Sequence, residues 1–233
     1  GWIMEKDGGN NAANYSEYEF WNNNSFKLYQ KLYGLNPGYY KLSCNGYYRA
    51  GGYKEAAAAY RDKKEQLNAM LYAGTYFVPL KSIIEDGKTT PQAADNVNVA
   101  DSLTTAENPV TAWYIPNAMA DAQPAFANGD YLNEMFFEVT EAGQMIEIGV
   151  KKETLIANDW TIFDSFKLLY YGSGEENRPD AVESVEEAAE VVSTTYYDMT
   201  GAQIAKPTKR NSLYIRRDVL SNGKVKSATF ILR

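Results

Sequence analysis

The chain has 233 residues, 45% of them hydrophobic, and no apolar run of about 18 residues, so it can bury a full core and offers no transmembrane helix. A net charge of −7 argues against a nucleic-acid surface, which needs a basic stripe; the absence of histidine and the single cysteine remove the commonest general base, the commonest metal ligand, disulfides and Cys-based zinc sites. The aromatic content, 19 Tyr against 9 Phe and 4 Trp, suits half-buried strands and amphipathic binding surfaces.

Gly1-Trp2 reads as a cut boundary, so a leader or a first strand could precede it, and targeting is not legible there. The next signals are two short strands, 18–21 and 26–32, separated by the polar run Asn22-Asn23-Asn24-Ser25, which predicts a hairpin. After Gly34-Leu35-Asn36-Pro37-Gly38, residues 39–49 alternate as a strand. Tyr40, Leu42, Cys44 and Tyr48 share its core face, and Lys41, Ser43, Asn45, Tyr47 and Arg49 share a polar, outward one.

Beyond Gly51-Gly52, the alanine-rich, charged stretch 55–66 predicts one helical insertion, followed by an apolar strand over 67–72. Residues 84–109 have weak periodicity and many small polar side chains, which predicts a long surface excursion of the kind that carries function on a rigid sandwich. Strand signals return at 131–140, at 144–152 with Ile146, Ile148 and Val150 on one face, and at 160–171. Many strands and one helix point to an all-β, antiparallel sandwich rather than a βαβ fold.

Residues 173–192 change character: Glu175, Glu176, Asp180, Glu183, Glu186, Glu187 and Glu190 make an acidic linker. Past it, short strands at 193–198, 202–205, 212–217 and 225–232, with turns at Thr200-Gly201 and Asn222-Gly223, predict a small C-terminal β-meander over 193–233. Lys206, Lys209, Arg210, Arg216, Arg217, Lys224 and Lys226 crowd into this module. They form a solvated face, or a face attracted to the linker or to an anionic cell-surface polymer.

Four segments carry a resemblance: Glu19-Phe20-Trp21-Asn22; Tyr29-Gln30-Lys31-Leu32 running on through Gly34 to Leu42; Gly46-Tyr47-Tyr48-Arg49; and Trp160-Thr161-Ile162-Phe163-Asp164-Ser165-Phe166-Lys167-Leu168. In that order they resemble the galactose-binding-like jelly rolls of secreted gut-bacterial proteins, related to carbohydrate-binding modules, over residues 1–172. The resemblance implies a jelly-roll sandwich, an exported or cell-surface location (outer-membrane exterior or periplasm) and a polysaccharide or glycan ligand. The first strand of such domains usually precedes the Gly-Trp. The run from Tyr196 to Gln203, followed by Ser212-Leu213-Tyr214-Ile215, looks like the short β tail of exported proteins in the same bacteria, some of which are sorting signals.

Sugar sites set aromatic faces against pyranose rings and border them with amide, carboxylate and Arg groups. Trp21 with Asn22 to Asn24, Tyr47 with Arg49, and Trp113 and Tyr114 with Asn117 have that composition. Each also has a packing interpretation, as a core or edge aromatic or, for Arg49, a surface ion pair; Trp113 and Tyr114 precede Pro116 in a loop, where burial is less compulsory. Glu19 and Asp164 are candidates for a structural Ca²⁺, because related jelly rolls hold one near their first and last strands. Asp164 falls by alternation with Trp160, Ile162, Phe166 and Leu168 on an apolar face, so its carboxylate needs a cation, an Arg or hydrogen-bond donors.

No spacing marks a pair of hydrolytic carboxylates, and Gly8-Gly9 and Gly51-Gly52 lack the Lys and Ser or Thr of a phosphate loop. The missing chemistry therefore predicts a non-enzymatic protein, and the resemblance implies that it binds carbohydrate. The alternative is a structural or adhesive surface protein whose sandwich docks a cell-surface protein partner or acts as a spacer.

Overall fold

The computed structural model describes residues 1–179, 191–198, 202–210, 212–220 and 225–231. The chain divides into two compact units, Gly1–Val185 and Glu186–Arg233. In the first, the strands run β1 (Ile3–Asp7), β2 (Asn10–Asn14), β3 (Glu17–Trp21), β4 (Ser25–Leu32) and β5 (Gly38–Arg49), then helix α1 (Tyr53–Arg61). Next come β6 (Ala69–Ala73), β7 (Tyr76–Pro79), β8 (Lys81–Ser82), β9 (Val97–Asn98), α2 (Ala100–Leu103), β10 (Tyr114–Ile115) and α3 (Met119–Ala127). The unit closes with β11 (Leu132–Val139), β12 (Ile146–Lys152) and β13 (Trp160–Gly172).

One sheet has the order β1-β4-β12-β6-β7 and the other β11-β5-β13-β3-β2, with β8 joining β5 in parallel. Successive strands cross between sheets, β3 to β4 to β5 to β6 and again β11 to β12 to β13, which is the path of an antiparallel jelly-roll sandwich. The fold class expected from the strand pattern is the one that forms. Between the sheets lies a core of Phe20, Phe26, Leu28, Leu42, Cys44, Tyr48, Leu71, Phe137, Ile148, Val150 and Phe163. The inward faces of β5 and β12 are the ones that period-two alternation assigns.

Three expectations are corrected. First, 18–21 and 26–32 are not a hairpin: β3 and β4 belong to different sheets, and the asparagine run carries the chain over the edge of the sandwich. Asn22 takes φ +53°, and Asn23, fully buried, donates from its side chain to the Gly8 carbonyl at 2.7 Å. That corner needs glycine opposite it: Gly9 has φ +52°, and a Cβ there would lie 2.4 Å from the Trp21 carbonyl oxygen. The true hairpin is β2-β3, closed by Tyr15 and Ser16 at φ +53° and +68°, a two-residue turn with both central residues left-handed.

Second, the helical insertion spans Tyr53–Arg61 rather than 55–66, stopping where Lys63 turns left-handed at φ +55°. A further nine-residue helix, α3, forms despite Pro124 in its interior.

Third, the excursion over 84–109 is not wholly a surface loop: Ile84, Val99 and Leu103 within it are buried, together with residues that flank it. Ile83, Ile84, Val99, Leu103, Ile115, Ala122 and Phe126 fold down on the outer face of the β5-containing sheet and bury Tyr47, Trp160 and Ile162 in a second core. The face read as outward is thus covered by apolar side chains from 83–126, scattered ones up to Ile115 and then Ala122, Ala125 and Phe126 from one face of α3.

In the second unit, β14 (Val191–Tyr197), β15 (Gln203–Ile204), β16 (Leu213–Leu220) and β17 (Val225–Ile231) form an antiparallel sheet of order β15-β14-β16-β17. The chain folds back so that β16 pairs with β14. Phe230 packs its ring against Tyr214 and Tyr196, at centroid separations of 6.0 and 6.2 Å. The predicted turns at Thr200-Gly201 and Asn222-Gly223, and the acidic linker from Asp180 to Glu190, lie outside the described residues.

Candidate functional site

Three strands bring one row of side chains to the same end of the sandwich. Trp160 opens β13 and is paired on one side with Trp21, the last residue of β3, and on the other with Arg49, the last residue of β5. All three project from the outer face of the sheet. The Arg49 guanidinium carbon lies 5.2 Å from the ring centroid of Trp21 and 5.2 Å from that of Trp160, a cation–π arrangement with two indoles. Trp160 is almost wholly buried, whereas Trp21 keeps part of its ring in solvent.

Hydrogen bonds fix this row. Arg49 donates from Nε to the Gly51 carbonyl at 3.1 Å and from Nη1 to Asn117 Oδ1 at 3.2 Å. Asn117 is in turn held by its backbone N–H, which donates to Asp121 Oδ2 at 3.1 Å. Asp121 is itself buried in the first turn of α3, and its other oxygen accepts from the Asp95 N–H. Trp160 Nε1 donates to Glu19 Oε2 at 2.8 Å. Burial pulls the Arg49 pKa below its ordinary value.

Around the row open two adjoining hollows. The larger, about 800 Å³, is bounded by Trp21, Arg49, Gly52, Tyr53, Lys64 and Asn158 among others; the smaller, about 400 Å³, by Glu19, Trp21, Arg49, Asn117 and Trp160. The wall carrying Ile156, Ala157 and Asn158 is anchored from below by a buried ion pair between Lys152 and Asp159. Asp159 Oδ2 also accepts from the Tyr48 hydroxyl at 2.9 Å and from the Ile156 N–H at 3.2 Å. The Asp159 carbonyl accepts from the Asn22 N–H at 2.9 Å, tying this wall to the end of β3.

Of the residues singled out from sequence, Trp21, Arg49 and Asn117 come together here. Tyr47 does not: it is 0% exposed, edge-on to Trp160 and Tyr131 at 5.3 and 4.8 Å, so its ring is core rather than contact surface. Trp113 plugs the second core, its Nε1 donating to the Ile84 carbonyl at 2.9 Å and its indole lying against Gly87, which has no room for a Cβ. Tyr114 pairs with Asn98 in the small β9-β10 ladder, away from both hollows. Trp160, Tyr53 and Lys64 are site-lining residues that sequence reasoning misses. Only the cross-strand register reveals Trp160, and no local motif encodes it.

The two acidic residues read as a cation pair, Glu19 and Asp164, both lie near a third carboxyl, Glu17. Glu19 is opposite Ile162 and is engaged by the Trp160 indole. Continuing the β3-β13 register one step beyond Phe163 and Tyr18 sets Asp164 abreast of Glu17. Glu17 is 1% exposed, neither of its carboxyl oxygens has a hydrogen-bond partner, and burial, with Asp164 and Glu19 nearby, pushes its pKa up to about 8. Asp164 is raised by burial as well, against the lowering effect of a hydrogen bond from the Ser165 side chain.

The alternation predicted around Asp164 fails because Ser165 takes φ +54° in an irregularity between Asp164 and Lys167. Phe166 and Leu168 consequently face the inter-sheet core. Among the described residues, no group of three or more His, Cys, Asp or Glu side chains is arranged to hold a metal ion.

No family model matches the chain, and no curated protein matches it. Among solved structures it is similar to that of TmCBM61 in complex with beta-1,4-galactotriose, at 12% identity over 72% of this chain and 88% of that one, with a TM-score of 0.32. Similarity of that degree sets up no residue correspondence, and no site residue is carried across from it. No helix among the described residues is long and apolar enough to cross a membrane.

Proposed function

We propose that the first unit binds a carbohydrate, without acting on it chemically, in the hollow between Trp21, Arg49, Asn117 and the 156–158 wall. One observation carries the reading: a part-exposed indole ends a strand beside a guanidinium and a side-chain amide, all held in place from behind, in a cavity the size of a few sugar rings. A pyranose offers an apolar C–H face and a rim of hydroxyls. Trp21 would meet the first, and Arg49, Asn117 and Asn158 the second. The same reading extends to the expectation that the protein works outside the cytoplasm, as an exported or cell-surface binder.

The test is affinity electrophoresis of the whole chain through gels carrying plant, host or microbial polysaccharides. The proposal expects retardation on at least one of them, abolished by Trp21→Ala and unaffected by Trp113→Phe. No retardation on any would contradict it.

A second reading, a protein-docking or spacer module, is favoured by the half-exposed run Leu169, Tyr170 and Tyr171 on β13. It expects a protein partner recovered from envelope extracts and lost on Leu169→Ser with Tyr171→Ser, with no polysaccharide retention.

A further inference from the structure

Among the described residues two cations are deeply buried, and they are treated differently. Lys152, 2% exposed, has Asp159 as its counter-charge. Arg49, 5% exposed, has no ion-pair partner among the described residues. Its acceptors are neutral, a carbonyl and an amide oxygen, and its Nη2 makes no hydrogen bond among the described residues. A guanidinium taken out of water without an anion is costly, and two indole faces offset only part of that cost.

The carboxylates nearby do not fill the role. Glu19, on the smaller hollow, is engaged by the Trp160 indole. Glu55, on the larger, favours the Arg49 cation through space but forms no ion pair or hydrogen bond with it; it folds over the start of α1, with Oε2 2.5 Å from where a Cβ on Gly52 would stand. Lys64 adds a second cation to the same wall.

We infer that the ligand carries its own anion: the site takes a uronic acid residue of an acidic polysaccharide, its carboxylate forked onto Arg49 and its ring laid on Trp21. This rests on the carbohydrate-binding reading above and names the class of sugar. A planar carboxylate matches the fork geometry of a guanidinium, and at a side chain as buried as Arg49 the pair is stronger than at an exposed one. The net charge of −7 repels polyanions in general, so retention of one reports a local site and not bulk attraction.

The experiment compares polygalacturonic acid, alginate and hyaluronan with the same three polymers after chemical reduction of their carboxyl groups, using the whole chain in affinity electrophoresis and calorimetry. The inference expects at least one acidic polymer to bind about tenfold or more tightly than its reduced form. It also expects Arg49→Lys, which keeps the charge and loses the fork, to remove most of that preference. Equal binding to an acidic polymer and its reduced form overturns the inference and leaves the glycan site standing. Binding of neutral polysaccharides alone does the same, and binding of none overturns both readings. Should Arg49→Lys fail to fold, the comparison of polymers on the unaltered protein decides the matter by itself.

Discussion

Arg49 and Trp160 are direct cross-strand partners on β5 and β13, and the guanidinium carbon of the one lies 5.2 Å from the ring centroid of the other. Trp160 is the floor of the site, Trp21 its open face. Trp160→Ala should therefore destabilise the protein by about 3–5 kcal/mol, as expected for removing a buried tryptophan, while Trp21→Ala should cost less than about 1 kcal/mol. Urea unfolding of the two variants checks this. Equal destabilisation would mean that Trp21 is core, and its assignment to a contact surface would fail.

Lys152 and Asp159 are both about 1% exposed at their side chains, and Asp159 also holds Tyr48 and the Ile156 N–H. Asp159→Asn leaves a buried ammonium without its anion, at a cost of about 3–5 kcal/mol. Burial already pulls the Lys152 pKa down, with Asp159 opposing that pull, so the lone lysine would be driven towards its neutral form. The double replacement Lys152→Met with Asp159→Asn should recover part of the loss in the same unfolding assay. A double variant less stable than Asp159→Asn alone would show that the pair is not the unit that matters.

Glu17 makes stability depend on pH. Its pKa stands at about 8 in the folded chain against an ordinary 4.5, so the folded state holds a proton that the unfolded state releases between those values. The contribution is present in full below about pH 4.5 and is lost as pH rises through about 8. Asp164, also raised, adds to the same trend at lower pH. The midpoint of thermal unfolding should fall between about pH 5.5 and pH 8.5, and Glu17→Gln should flatten that slope and stabilise the protein at the alkaline end. A slope unchanged in Glu17→Gln would rule this carboxyl out as its source.

Asp121 acts on the site through Asn117, whose N–H it accepts. Asp121→Ala should weaken binding of any retained polysaccharide about as much as Asn117→Ala, roughly 1–2 kcal/mol, and should additionally lower stability, because Asp121 is buried and also holds the Asp95 N–H. Calorimetry and unfolding on both variants separate the two effects. Full affinity in Asp121→Ala would remove Asp121 from any positioning role.

The sandwich is legible in the sequence where one rule governs. Tyr40, Leu42, Cys44 and Tyr48 alternate with Lys41, Ser43 and Asn45, and the inward set is the core face that forms. The thiol of Cys44 lies fully within it, where burial raises its pKa. Trp21, Arg49 and Asn117 are legible as types of residue suited to sugars.

What escapes the sequence is long-range. Tyr47 becomes core because residues 83–126 lie down on the sheet, and Trp113, half-buried, packs against that core; over 83–115 no period announces it. Phe166 and Leu168 change face because of one left-handed residue, Ser165, in a strand that otherwise alternates. Trp160 joins Trp21 and Arg49 only through register, across about 140 and 110 positions of chain.

The central claim concerns which indole meets the ligand, and each of the tryptophans Trp2, Trp21, Trp113 and Trp160 carries one indole N–H for an NMR titration to follow. With a polysaccharide fragment that the chain retains, the signals of Trp21 and Trp160 should move together and saturate, while those of Trp2 and Trp113 stay in place. Movement of the Trp2 or Trp113 signal with Trp21 unmoved would contradict the site at the end of β3, β5 and β13.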